Sequence, residues 1–338
     1  MARLRRSSTG EPGIARRRHG RGFTYRTGTD TVVDEDTMTR IRALAIPPAW
    51  TQVWICNAPN GHIQAVGTDA AGRRQYLYHE RWRRSRDAAK HHRVTELGEA
   101  LPKSRRTVTG HLRHRSMDRE RVLAVAFRLL DIGSFRIGSE AYASTNGTYG
   151  IATMRRDQVE VTDDLLHLEF PGKGSKLIDW VAKDPSLSRA IAELVDRKDR
   201  NSELLAWQSD DGSWNDVKSG DVNDYVRGVT GGDFTAKDFR TWNATVLMAT
   251  ELSASGGERR SKSANERFVR ECVKRVAEHL NNTPSVARAS YIDRRVIDLY
   301  LDGVTIDAPT VSPSGAFTSR HRSALEGAVL HMLRTHAA

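Results

Sequence analysis

The sequence predicts an α+β protein: a small N-terminal antiparallel β-sheet domain, then a mostly α-helical domain containing a small β-meander. Three observations predict it. Alternating segments at 52–56 and 62–67 flank Asn60-Gly61, a pair suited to the positive φ angles of a tight hairpin. From Asp118 onward apolar residues recur at helical spacing. One island interrupts that spacing: 149–154, 158–162 and 165–170 read as strands, followed by a Gly172-Lys173-Gly174 tip and the alternating run 176–182.

Residues 1–22 carry arginines among Gly, Pro and Ser with little apolar content, so they are expected to form a disordered basic tail. The sheet domain is expected over 23–88, with a short helix at 36–44 ending before Pro47-Pro48. A polar turn at 69–74 leads into a third strand at 75–79, and the charged run 80–93 reads as a connector. The helical domain is expected over 89–338. Its first clear helix is capped by Asp118 and carries Val122, Leu123, Val125, Ala126, Leu129 and Leu130 on its apolar face. Further helices are expected at 185–197, 221–228, 237–252, 263–281 and 285–302, and the polar stretch 201–216 reads as a loop.

Composition narrows the function. Of 338 residues 38% are hydrophobic, enough for real cores, and no stretch reaches the roughly 18 apolar residues a membrane span needs. The two cysteines, Cys56 and Cys272, are too isolated for a disulfide framework or a zinc site, and suit buried positions in a reducing cytoplasm. Lys and Arg exceed Asp and Glu by 53 to 42, a net charge of +11 that favours a polyanionic partner. Nucleotide and metal signatures are missing. The segment around Lys173 lacks the spacing of a phosphate-binding loop, and neither His91-His92 nor His111 with His114 has a companion ligand at metal spacing.

What remains is an ordered set of polar segments in the helical region: FRIGSEAY with Arg136, FPGKGSK with Lys173, TAKDFRTW with Lys237 and Arg240, and NNTPSVARASYID with Asn282 and Tyr291. In this order they resemble the type IB DNA topoisomerases, most closely the compact bacterial and poxvirus enzymes. The resemblance extends from about residue 22 over nearly the whole chain and includes the strand GRRQYLYH.

The resemblance implies that Tyr291 attacks a DNA phosphodiester, forming a 3′-phosphotyrosine and freeing a 5′-hydroxyl. A tyrosyl ester conserves the energy of the broken bond, so resealing needs neither ATP nor a metal cofactor. A phenol with an ordinary pKa near ~10 needs nearby cations to become a nucleophile. Arg136 and Arg240 match the family's pair of arginines, whose planar forks suit the non-bridging oxygens. Lys173 matches the general acid that protonates the departing 5′-oxygen, and Lys237 matches a second, assisting lysine. Asn282, nine residues before Tyr291, stands where poxvirus and nuclear enzymes carry a histidine; its amide can donate the same bond without a charge, or Asn282 can instead cap the helix carrying Tyr291.

In the sheet domain Gln75, Tyr76 and Tyr78 match the strand that meets the major groove, and Tyr142 matches another DNA contact. Alternation puts Tyr76 and Tyr78 on one face and Gln75 on the other, so the aromatics either meet DNA or face the sheet's own core. The family implies a monomer closing around double-stranded DNA in the bacterial nucleoid, with no membrane partner. The related alternative is a tyrosine site-specific recombinase, but those enzymes generally place a histidine where Lys237 stands.

Overall fold

The computed structural model describes residues 3–32, 34–255, 261–307 and 319–336. The chain divides into two compact units, Met1–His91 and His92–Ala338.

The first unit is built on a six-stranded antiparallel sheet in the order β3-β2-β1-β4-β5-β6. The strands are β1 (Gly13–His19), β2 (Gly22–Thr27), β3 (Asp30–Thr31), β4 (Thr51–Cys56), β5 (Ile63–Thr68) and β6 (Arg74–Tyr78), and helix α1 spans Glu35–Ala43. Ile14, Val53, Ile55 and Ala65 pack with Ile41 of α1 as a small core. Asp34 caps α1 by accepting from the Thr37 amide.

Two expectations for this unit are corrected. The basic segment read as a disordered tail contains β1, which pairs with both β2 and β4. Its charge count misled because Ile14 is buried and Arg16 is satisfied locally. The Arg16 guanidinium donates to the carbonyls of Ile46, Pro47 and Trp50 and lies 4.1 Å from the Phe23 ring centre. β4 and β5 do pair, but Asn60 and Gly61 lack the positive φ of a two-residue turn. Instead, Arg5 pairs with this connection, donating to the Asn60 carbonyl and accepting from the His62 amide. Gly61 is needed for room: a Cβ there would lie 2.6 Å from the Cys56 sulfur.

Helix α2 (Glu80–His111) spans the boundary between the units in the chain, so the connector expected at 80–93 is the start of a long helix. Its helical character was not expected because a strongly charged helix shows little apolar periodicity.

In the second unit α3 (Arg119–Gly133) is followed by α4 (Glu140–Asn146) and a three-stranded meander of β7 (Val159–Thr162), β8 (Leu165–Pro171) and β9 (Leu177–Lys183). Then come α5 (Pro185–Asp196), the short ladder β10 (Ala206–Gln208) with β11 (Trp214–Asp216), and α6 (Ser219–Thr230). The remaining helices are α7 (Ala236–Ser253), α8 (Lys262–His279), α9 (Pro284–Ser290), α10 (Arg294–Leu301) and α11 (Ser319–Thr335).

The run 149–154 is not a strand; Ile151–Thr153 is a 3-10 turn. Its backbone is drawn against 136–138, where the Ile151 and Ala152 amides donate to Arg136 and Ile137, and Gly150 has no side chain to keep the backbones apart. The stretch 201–216 carries β10 and β11 and is not only a loop. The region 285–302 is two helices, because Asp293 accepts from the Arg295 amide and starts α10 anew.

One large core unites the second unit, with α7 at its centre: every residue from Asp238 to Leu252 is buried. Such a helix has no solvent face, so its polar residues must find partners inside. Phe127 of α3 packs edge-to-face on Phe239, ring centres 5.0 Å apart, and both are fully buried. Phe127→Ala should therefore destabilise the protein by about 3–5 kcal/mol, measured by urea unfolding followed through helical circular dichroism; a loss below 1 kcal/mol would contradict this packing.

Candidate active site

The site begins with Arg240, five residues into the buried helix α7, whose start is organised by Thr235 and Asp238. Arg240 as a whole is 4% exposed. It donates to the carbonyl of Ser134 and, at 2.9 Å, to that of Leu280. These two residues are the C-caps of α3 and α8. The last carbonyls of a helix lack intrahelical donors and carry the negative end of its dipole, so two helix ends converge on one buried cation.

Both helix ends are shaped to do this. Ser134 takes a left-handed conformation, φ 52°, turning the chain so that Arg136 follows two residues later. Asn281 does the same after α8, φ 50°, and the Asn282 amide closes the turn on the Ala277 carbonyl at 2.8 Å. Arg136 and Asn282 thereby meet: a guanidinium nitrogen of Arg136 donates to Asn282 Oδ1 at 2.5 Å. Asn282 Nδ2 is buried with no hydrogen-bond partner among the described residues. The cap of α9 is Thr283, which accepts from the Val286 amide, so the helix-capping alternative for Asn282 is not what the chain uses.

Tyr291 closes the constellation from the break between α9 and α10, where its backbone leaves helical geometry. The Arg240 guanidinium carbon lies 5.0 Å from the centre of its ring. Burial raises the phenol's pKa, but Arg240, Arg136 and Lys237 together outweigh that and hold it below the ordinary value of 10. Burial and the neighbouring Arg136 in turn lower Arg240 to about 10. Among the described residues neither Arg136 nor Arg240 has a carboxylate partner. Two half-shielded or buried guanidiniums and an unpaired amide donor, set against a phenol, make a receptor for an anion with an oxygen nucleophile beside it.

Lys237 is exposed at the start of α7. Lys173 is exposed in the turn between β8 and β9, flanked by Gly174 and Ser175 in left-handed conformations. It makes no hydrogen bond or ion pair among the described residues. β9 itself, through Leu177 to Trp180, borders a cleft of about 190 Å³ that Arg136, Arg240 and Asn281 also line. Thus Tyr291, Arg136, Arg240 and Asn282 are brought together, and Lys173 is carried on the hairpin beside them.

In the first unit Tyr76 and Tyr78 are 42% and 39% exposed, their rings stacked with centres 6.0 Å apart, so they do not face the sheet's own core. Gln75 lies on the other face and donates to Asp69 at 2.9 Å. Tyr142 lies in α4, and its side chain falls outside the described residues. Cys56 and Cys272 are both buried, and neither is in a disulfide among the described residues. His167, Glu169 and Asp179 cluster on the meander, with His167 2.9 Å from Asp179; Asp179 reaches the other two across the β8–β9 pairing, a closeness that sequence spacing does not show.

A profile of the family described as Eukaryotic DNA topoisomerase I, catalytic core, matches residues 79–299, well over half the chain. The chain belongs to this family. A second profile, Bacterial DNA topoisomerase IB, N-terminal domain, matches residues 22–69. The DNA topoisomerase 1B of Acanthamoeba polyphaga mimivirus is 29% identical over 296 residues, covering 85% of this chain and 87% of that protein. The DNA topoisomerase 1B of vaccinia virus (strain Western Reserve) is 20% identical over 255 residues, 75% of this chain and 77% of the relative. DNA topoisomerase 1 alpha of Arabidopsis thaliana is 25% identical over 169 residues, 49% of this chain and 17% of its own length. The α+β class with an N-terminal antiparallel sheet is the fold expected of a topoisomerase IB, and the recombinase alternative is not favoured.

For this type IB topoisomerase, sequence reasoning missed residues that only support others. Ser134, Asn243 and His279 carry no motif. His279 is the last residue of α8 and borders the cleft. Burial, then Arg240 and Arg322, push its pKa down to about 4. The folded protein thus resists protonating His279 until about pH 4, whereas the unfolded chain takes up the proton near 6.5. Its contribution to stability is complete above pH 6.5 and is lost as pH falls from there through 4. His279→Gln should flatten the fall of Tm over that window relative to the native enzyme; an equally steep fall in both would show that His279 does not titrate this way.

Proposed function

We propose that Tyr291 is the nucleophile that nicks one strand of duplex DNA, with Arg136, Arg240 and Asn282 holding the phosphate. The observation that carries this reading is the pair of arginines without carboxylate partners beside a phenol they hold below its ordinary pKa. The Tyr291 oxygen bonds to phosphorus as the bond to the 5′-oxygen breaks, and the phenolic proton passes to solvent. Negative charge builds on the non-bridging oxygens of the phosphorane, where each fixed donor is worth about 10²–10³ in rate. Lys173 supplies a proton to the departing 5′-oxygen, its Gly-Lys-Gly turn letting the ammonium approach once DNA is bound. Lys237 adds positive charge beside the phenol. The freed end rotates, relaxing supercoils of either sign. The 5′-hydroxyl then attacks phosphorus, displacing Tyr291 and restoring the strand. Every group comes from one chain, which supports a monomer, and the bacterial N-terminal profile supports the nucleoid as its place of action.

Tyr76 and Tyr78 are assigned to DNA contact, since two stacked exposed aromatics on an edge strand serve no core. Gln75 holds Asp69 with one amide N–H, which leaves its second N–H and its oxygen for DNA, and Tyr142 is assigned by resemblance. The arginine-rich surface supplies the salt-dependent remainder of the affinity.

The direct test is relaxation of a supercoiled plasmid in EDTA without ATP. Native enzyme should relax it and be trapped covalently on DNA by detergent. Tyr291→Phe should do neither while binding DNA nearly as before, because only the phenolic oxygen is lost. Continued relaxation by this variant would remove Tyr291 as nucleophile.

Asn282 allows a finer test. Its Oδ1 is occupied by Arg136, which leaves Nδ2 as the donor for a non-bridging oxygen. A hydrogen bond to a charged acceptor is worth roughly 1.5–3 kcal/mol, so Asn282→Ala should cleave about ten- to a hundred-fold more slowly. Asn282→His should retain most activity, and Asn282→Asp should be slower than Ala because it sets a carboxylate beside the phosphorane. Single-turnover cleavage ranks the three, and an Asp variant faster than His would reverse the assignment.

A further inference from the structure

Beneath the site lies a buried ionic cluster that the cleavage chemistry does not use. Asp131 of α3 is held by Arg105 of α2 through two bonds of 2.9 Å. Arg105 also donates to Glu326 of α11 at 2.6 and 2.8 Å. Arg322 of the same helix completes the cluster, donating at 2.9 Å to Glu326 and at 2.7 Å to Asp131. Asp131, Arg322 and Glu326 are each 3% exposed or less. Arg128 lies 3.8 Å from Asp131 and is paired with Asp184, so three cations and three anions balance, which explains how they can be buried but not why they lie here.

The reason is on the other side of Arg322. The Arg322 nitrogen that holds Asp131 also donates to Asn243 Oδ1 at 3.0 Å. Asn243, fully buried three residues after Arg240, has one acceptor oxygen and one donor nitrogen at the end of its amide. Arg322 offers only donors, so it forces Oδ1 toward itself and Nδ2 the opposite way. Nδ2 then donates at 2.9 Å to both the Asp131 carbonyl and the Ser134 hydroxyl. Ser134 is the left-handed residue whose carbonyl receives Arg240. A fixed line of contacts therefore runs from Arg322 through Asn243 and Ser134 to Arg240.

We propose that Arg322 is a positioning residue for Arg240, so that α11, which follows Tyr291 in the chain, belongs to the cleavage machinery. Helix α11 lies beyond the residues matched by the catalytic-core profile. The inference rests on Arg240 binding the phosphorane. Without Arg322 the Asn243 amide loses the donor that holds its Oδ1 and is oriented by the Asp131 carbonyl alone, the clamp on the Ser134 turn slackens, and Arg240 keeps its charge but not its aim. Small misplacements of this kind can cost up to about 10²-fold in rate.

The experiment measures the single-turnover rate at which full-length enzyme becomes covalently attached to plasmid DNA, alongside DNA affinity by gel shift. Arg322→Lys keeps a cation but not the planar fork, and Ser134→Ala removes only a hydroxyl and serves as the variant least able to disturb folding. Both should attach at least about five-fold more slowly with affinity within two-fold of native. In an Arg240→Ala background, expected to be about 10²–10³-fold slower than native, neither should slow attachment by more than two-fold further, because residues acting through one group are not additive. The proposal is overturned if Ser134→Ala or a folded Arg322→Lys attaches at the native rate, if weakened DNA binding accounts for the loss, or if either full penalty persists without Arg240. Should Arg322→Lys fail to fold, Ser134→Ala decides alone. Failure of the native enzyme to attach at all would instead sink the cleavage reading on which this rests.

Discussion

Burying a guanidinium without a carboxylate is the constraint around which the second unit is arranged. A carboxylate beside Arg240 would neutralise it and compete with any incoming phosphate, yet an unsolvated cation is costly. The fold resolves this with neutral acceptors, the terminal carbonyls of α3 and α8. Those carbonyls are available because helices leave their last acceptors free, and they lie along the dipole direction that favours a cation. The positive charge is kept while its hydrogen-bonding needs are partly met, and the pKa near 10 reflects burial that is only partly offset. Arg240 consequently faces Tyr291 as a charge in search of an anion.

The same constraint explains why α7 is polar inside. A helix buried on every side cannot turn Asn243, Thr245 or Arg240 toward water, so each must be answered by a neighbouring element. Asn243 answers to α3 and α11, and Thr245 accepts from the Asp293 amide in the segment after Tyr291. The nucleophile and the cation are thereby referred to one rigid rod. Polar networks of this sort specify one arrangement of the core more sharply than apolar contacts do, because a misaligned donor costs more than a misaligned methyl.

The first unit solves a related problem with the same device. Arg16 is drawn inward onto three carbonyls and over Phe23, which turns a strand rich in arginine into part of a sheet. Tyr76 and Tyr78 on the edge strand β6 are left outward, where a stacked aromatic pair offers contact area with little side-chain entropy to lose.

The sequence by itself determined the class of fold, most helix positions and which residues are candidates for the site. Arg136, Arg240, Asn282 and Tyr291 were legible because their order and types matched a known chemistry, and α3 and α7 because their apolar spacing is long and regular. The basic strand β1 was not legible, since charge counts do not reveal that Arg16 finds carbonyls some thirty residues away. Nor was the charged start of α2, whose periodicity is too weak to announce a helix. Sequence placed Tyr291 inside one helix; Asp293, which caps α10 locally and is held by Thr245, divides that helix and sets the tyrosine at the gap. Only the tertiary structure decided that Gln75 faces Asp69, that Asn282 is turned by Arg136, and that Ser134, Asn243 and Arg322 stand behind Arg240. These are contacts between residues up to 146 positions apart. A side chain's local sequence sets its chemistry and its secondary structure, but the partner that orients it is set by packing.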